Sequence, residues 1–192
     1  MCRLASYCVY DSLRHSVCTL AVPGSSSRLS IRPQPDERLL VYDLEAYMGE
    51  KPIKRPDFLL IGRVGEGPWV VVLVEIKSGR DWRKALEQFR EVLPALGRGG
   101  ESGGDQHHQE CRNLLPLSRD HRVIAVVVGQ VGRESRKYSR PAPDRKWQEK
   151  RQGIQWGVKR VRLASPIAGK MFPSLRDFWI QIGVLPQSQS KA

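Results

Sequence analysis

The segment Val70-Val71-Val72-Leu73-Val74-Glu75-Ile76-Lys77 constrains this chain more than any other. Five consecutive apolar residues, four of them valine, demand a buried strand, yet the run ends in two charges. Upstream, Arg55-Pro56-Asp57-Phe58-Leu59-Leu60-Ile61 opens a second apolar run with a carboxylate. Between them, Gly65-Glu66-Gly67-Pro68 is turn chemistry, which predicts a β-hairpin with strands over 53–64 and 69–77. Strand side chains alternate between faces, so Glu75 and Lys77 share one face while Ile76 points into the core. Closing the hairpin brings Asp57 and Glu75 into one small volume with the Lys77 ammonium beside them. Unpaired charge is costly in an apolar strand, which makes these three the candidate functional residues. Two carboxylates and a lysine suit metal-assisted hydrolysis of a phosphodiester. The bland alternatives are a turn carboxylate for Asp57 and a salt-bridged strand end for Glu75 and Lys77.

The surrounding pattern is that of an α/β chain with a central mixed β-sheet flanked by helices. Residues 1–35 are weakly patterned and read as an N-terminal extension, with a strand or two between Tyr7 and Leu20 and breaks at Pro23-Gly24 and Pro33-Gln34-Pro35. The domain proper spans 36–185. Asp36 is placed to cap a helix over Glu37 to Met48, ended by Gly49. After Lys77, Asp81 caps an amphipathic helix in which Trp82, Ala85, Leu86, Phe89, Val92, Leu93 and Leu96 recur at helical spacing. Gly97 to Gln109 reads as a loop or insertion. Arg122 to Gly129 is apolar on both faces, as for a strand covered on two sides. Ile154 to Leu163 predicts a further strand, Leu175 to Ile182 a short terminal helix, and 186–192 a disordered tail.

A formal charge of +12 on 192 residues favours a polyanionic partner, with DNA expected over RNA. The excess is densest over 132–151, where Arg133, Arg136, Lys137, Arg140, Lys146 and Lys150 surround Tyr138 and Trp147. Such a cluster can follow a phosphate backbone while an aromatic ring stacks on an unpaired base. No run approaches the roughly 18 apolar residues that span a bilayer, so no membrane partner is expected. Cys2, Cys8, Cys18 and Cys111 form no CxxC pair, which implies reduced thiols and a cytoplasmic, intracellular protein. His107-His108 with Cys111 makes a poor metal site, because adjacent histidines share no helix face. There is no phosphate-cradling Gly-x-x-x-x-Gly-Lys loop.

The order Pro56-Asp57, Glu75-Ile76-Lys77 and then an amphipathic helix resembles the core of the PD-(D/E)XK nuclease superfamily over roughly residues 36–130. The resemblance implies the restriction-endonuclease-like fold and a metal-dependent (deoxyribo)nuclease. It implies that Asp57, Glu75 and the main-chain carbonyl of Ile76 hold a magnesium ion, for which manganese can substitute. Lys77 would serve the attacking water. Gln88, on the helix after Glu-x-Lys, would reach back to the site, against the plain reading of a solvated glutamine. Members often add a glutamate from the first helix. Glu37 and Glu45 compete for that place, with Glu37 preferred. Small members include junction resolvases that act as dimers, so a homodimer is an expectation. The rival is a DNA-binding scaffold of the same fold with a silent site.

Overall fold

Leu39 and Val41 are fully buried while Arg38 and Leu40 are partly exposed, an alternation with the period of a strand. In the computed structural model, which describes residues 6–49, 54–77, 85, 87–92, 122–129, 154–156, 159–164 and 167–186, this segment is accordingly strand β4, Glu37–Asp43. The expected helix over 37–48 is therefore corrected to a strand followed by a single turn of helix, α1, Leu44–Met48. The cause is pairing: strand β5 (Phe58–Val64) pairs with β4 along its whole length, from Glu37↔Val64 to Asp43↔Phe58. The cap of α1 is Asp43, not Asp36: its carboxylate accepts from the Ala46 N–H at 2.8 Å. Gly49, at φ +58°, ends the helix in a conformation that favours glycine.

Around this pair the chain builds an eight-stranded mixed sheet. Strands β1 (Cys8–Asp11), β4, β5, β6 (Val70–Lys77), β7 (Arg122–Gly129), β9 (Lys159–Leu163) and β8 (Ile154–Trp156) lie in that order. Strand β10 (Ile167–Ala168) also pairs with β7. β4, β5 and β6 are antiparallel neighbours. β7 then runs parallel to β6, in register from Val70↔Arg122 to Lys77↔Gly129. A parallel pair needs a crossover. The stretch between β6 and β7 contains helix α2, whose described residues are 85 and 87–92. Of the expected strands, 122–129 is present as read, 69–77 is present as Val70–Lys77, 53–64 is corrected to the shorter Phe58–Val64, and the segment 154–163 forms two strands, β8 and β9. Segment 1–35, read as an extension, supplies β1 to the edge of the large sheet. It also supplies β2 (Cys18–Ala21) and β3 (Arg28–Ile31), which join β11 (Met171–Phe172) in a second, three-stranded sheet.

The large sheet has two covered faces. On one, Leu60, Val72, Val74, Ile76 and Val126 pack against the small sheet and against helix α3 (Leu175–Gln181), through Leu29, Ile31, Phe172, Phe178 and Trp179. On the other, Leu59, Ile61, Val71, Leu73 and Val127 pack against α1 and α2, through Leu44, Met48, Ala85, Phe89 and Val92. β6 is therefore buried on both sides, which is why its sequence does not alternate. Among the described residues no helix is long and apolar enough to cross a membrane.

Helix α3 comes close to the sheet at Gly62 on β5. A Cβ there would lie 2.8 Å from the Arg38 carbonyl oxygen, 3.1 Å from Leu175 Cδ2 and 3.2 Å from Trp179 Cζ2. The carbonyl belongs to the neighbouring strand and cannot rotate away. Gly62→Ala is therefore expected to destabilise the protein by roughly 1–3 kcal/mol through overpacking. Urea unfolding checks this: the midpoint should fall with the slope unchanged.

Candidate active site

Strand β6 sends Val71 and Leu73 to the α1–α2 face, and the alternation continues to Glu75 and Lys77 at its C-terminal end. Ile76 takes the opposite face and is 4% exposed, as the strand reading required. Glu75 is 1% exposed, whereas Lys77 remains partly in solvent. The antiparallel register pairs Phe58 with Val74, so Asp57, one residue earlier, stands across from Glu75. Each acid is tied to the backbone of the facing strand. Asp57 Oδ2 accepts from the Ile76 N–H at 2.6 Å, and the Asp57 N–H supports the Glu75 carboxylate. The Asp57 carbonyl accepts from Leu44 N at 3.0 Å, which fixes the start of α1 against the site. Lys77 Nζ forms an ion pair with Glu75 Oε1.

Helix α2 contributes Gln88, whose side-chain amide donates to the Arg55 carbonyl at 2.7 Å. The same helix grips the preceding residue. Lys54 Nζ donates to Glu87 at 2.9 Å, and the Lys54 N–H donates to Glu91 at 2.8 Å. The segment leading into Asp57 is thus held from α2 at consecutive residues. Sequence reasoning missed Lys54, Glu87 and Glu91. The only signal was the i, i+4 spacing of the two glutamates, which is ordinary on a solvated helix face. It also missed Ser27, buried at 3% exposure, whose hydroxyl donates to the Lys77 carbonyl at 3.0 Å.

Burial raises both acids. Asp57 is pushed up to about 7, first by burial and then by the Glu75 carboxylate, with the Ile76 N–H and Lys77 opposing. Glu75 is also raised by burial, against the pull of Lys77, the Gln88 amide and the Asp57 N–H. Two buried acceptor oxygens, Glu75 Oε2 and Gln88 Oε1, have no hydrogen-bond partner among the described residues. Orphaned acceptors beside a carboxylate pair are a fit for a hard cation. No cluster of three His, Cys, Asp or Glu side chains exists among the described residues. Magnesium does not require one, since it is commonly held by one or two carboxylates and keeps several waters.

Glu37 does not belong to this site. It pairs with Val64 at the far end of β4 and β5, roughly 20 Å along the strands from Asp57. Its carboxylate, on a residue 5% exposed, accepts from Leu175 N at 2.7 Å, Arg176 N at 2.8 Å and Gln34 N at 2.8 Å. It satisfies the first amides of α3, which have no partner within the helix. The preference for Glu37 over Glu45 is corrected, because the segment is a strand that carries Glu37 away from the site. Glu45, in the first turn of α1, is near enough to Asp57 to help raise it. Arg133, Arg136, Lys137, Arg140, Lys146 and Lys150 lie outside the described residues, as do His107, His108 and Cys111.

Two outcomes are expected. A carboxyl whose folded pKa is raised keeps its proton longer in the folded than in the unfolded state. The stability it contributes is complete below about pH 4 and is lost as pH rises through about 7. Asp57→Asn, which keeps an acceptor for the Ile76 N–H, should remove that loss. Its stability relative to the wild type, measured by urea unfolding in EDTA, should climb between pH 4 and 7 by up to about 1.4 kcal/mol per unit and then level off. Glu37→Ala should destabilise by roughly 2–3 kcal/mol at neutral pH, by orphaning buried amides. The same unfolding measurement checks it.

Compared with models of protein families, with curated proteins and with solved structures, the chain gives no significant match.

Proposed function

We propose that this protein is a metal-dependent nuclease that hydrolyses phosphodiester bonds in DNA. The observation that carries the reading is the pair of buried, backbone-tied carboxylates, Asp57 and Glu75, with Lys77 in contact and two orphaned acceptor oxygens alongside. The order of elements supports it. Asp57 precedes β5, Glu75-Ile76-Lys77 ends β6, α2 follows, and β7 returns parallel to β6. That is the arrangement implied by the resemblance to the PD-(D/E)XK superfamily, and a restriction-endonuclease-like core is part of the proposal. The net charge of +12 agrees with a polyanionic substrate.

Asp57 and Glu75 would hold magnesium, with the Ile76 carbonyl as the third protein ligand. When bound, the ion supplies Lewis-acid polarisation of the phosphate and a more acidic water. The chain's own residues do the rest. Lys77, partly in solvent at the rim, orients the attacking water and offsets negative charge building on the phosphate oxygens. Gln88 holds the Arg55 carbonyl and so fixes the approach of Asp57. Glu45 adds negative field from α1. A second reading, a DNA-binding scaffold with a silent site, is favoured by the Lys77–Glu75 ion pair, which neutralises one acid without any cation.

Cleavage of labelled single-stranded, duplex, flap and four-way-junction DNA, and of RNA, tests the reading with magnesium, manganese or EDTA. The expected result is metal-dependent cutting of DNA that drops by roughly a hundredfold or more in both Asp57→Asn and Lys77→Ala. Intact DNA binding without cutting, and without magnesium uptake in a calorimetric titration, would replace the nuclease by the scaffold.

A further inference from the structure

The small sheet turns Leu20, Leu29, Ile31 and Phe172 inward to the core. Alternation therefore sends Arg28, Ser30 and Arg32 outward, with the Ser30 hydroxyl 3.1 Å from that of Thr19 on β2. Arg28 and Arg32 are exposed; Lys170 is exposed too but shares the Phe172 face of β11, its ammonium 4.8 Å from the centre of that ring. The three strands of this sheet and the sequence flanking them, 16–35 and 167–176, contain no Asp or Glu. Among the described residues no ion pair answers Arg28, Arg32 or Lys170. By contrast, Arg38 is matched by Asp11 at 2.7 Å and Arg63 by Glu66 at 3.5 Å.

This charge lies at the same end of the molecule as the candidate site, with the small sheet on the opposite face of the large sheet. Lys77 pairs with Gly129, and Gly129 with Ala168, so the ends of β6, β7 and β10 are level. Ser27, just before Arg28, is bonded to the Lys77 carbonyl. Gly169 lies so close to Arg28 that a Cβ would stand 2.6 Å from the Arg28 carbonyl oxygen. Arg28 and Lys170 are therefore at the site end of the molecule, and Arg32 lies roughly 13 Å farther along the strand. A row of cations and hydroxyls running away from a strand end matches the donors that contact phosphate and sugar.

We propose that the outward face of the small sheet, with Arg28, Ser30 and Arg32 along it, tracks the phosphate backbone of a DNA strand leading away from the Asp57–Glu75 site. The inference rests on the nuclease reading for the identity of the polymer.

The test is fluorescence anisotropy of labelled single-stranded and duplex DNA with the full chain in EDTA, over a range of salt. Wild type, Arg28→Ala/Arg32→Ala and the charge-keeping Arg28→Lys/Arg32→Lys are compared, with melting curves to verify folding. The alanine pair should weaken binding by about tenfold at moderate salt and reduce the slope of log K against log salt by about two. The lysine pair should bind like the wild type. Unchanged affinity and slope in a folded alanine pair would overturn the proposal and leave the nuclease reading standing. Failure of the wild type to bind any DNA at low salt would overturn the nuclease reading and this inference with it. If poly-glutamate binds as tightly as DNA and suffers the same loss, the face belongs to an acidic protein and the proposal falls.

Discussion

Side chains in an antiparallel pair repeat every two residues, so a slip of one residue between β5 and β6 would exchange their faces. Glu75 and Lys77 would then be driven into the core beneath α3 and the small sheet, and Ile76 would be turned toward α1 and α2. The observed register, Phe58↔Val74 through Gly62↔Val70, forbids this, because Val72 and Val74 fill one apolar layer while Val71 and Leu73 fill the other. Everything at the candidate site depends on that register. It places Asp57 across from Glu75, lets Asp57 accept from the Ile76 N–H, and leaves Lys77 at the strand end where its ammonium meets both Glu75 and solvent.

The site is held where folding alone would not put it. Burial opposes ionisation of both acids and shifts both upward, and at Asp57 the Glu75 carboxylate adds to it. The opposing forces are local: one ion pair, a few backbone amides and the Gln88 amide. Helix α2 adds restraint from outside by gripping Lys54 and Arg55, the residues that lead into Asp57. Acids shifted together by burial and a neighbouring carboxylate are a common signature of a functional site. The core makes room for it, since two apolar layers with many fully buried side chains surround the hairpin.

Glu37 shows how the same residue type serves a different end. Its three amide partners come from segments before β4 and at the start of α3, so its carboxylate joins the two ends of the described chain. No local pattern announces this, because Leu175 and Arg176 lie far away in sequence. The helix expected over 37–48 failed for a related reason. Leu39, Leu40, Leu44 and Tyr47 fit a helical face, and only the pairing of β4 with β5 along seven residues decides for the strand. Hydrogen bonds supplied by a neighbour outweighed a modest local preference.

The strands within 53–64, 69–77 and 122–129 were legible because long apolar runs bounded by turn residues have few other solutions. So were the three polar residues that interrupt them, since charge in a buried strand demands a reason. Legible too was the placement of Gln88 on the margin of an apolar helix face. Which glutamate approaches the site, how α2 clamps the approach to Asp57, and where the unanswered cations of the small sheet lie were decided by tertiary structure alone. Each depends on contacts between residues far apart in the chain, and a sequence pattern carries the period of an element but not the identity of its neighbour.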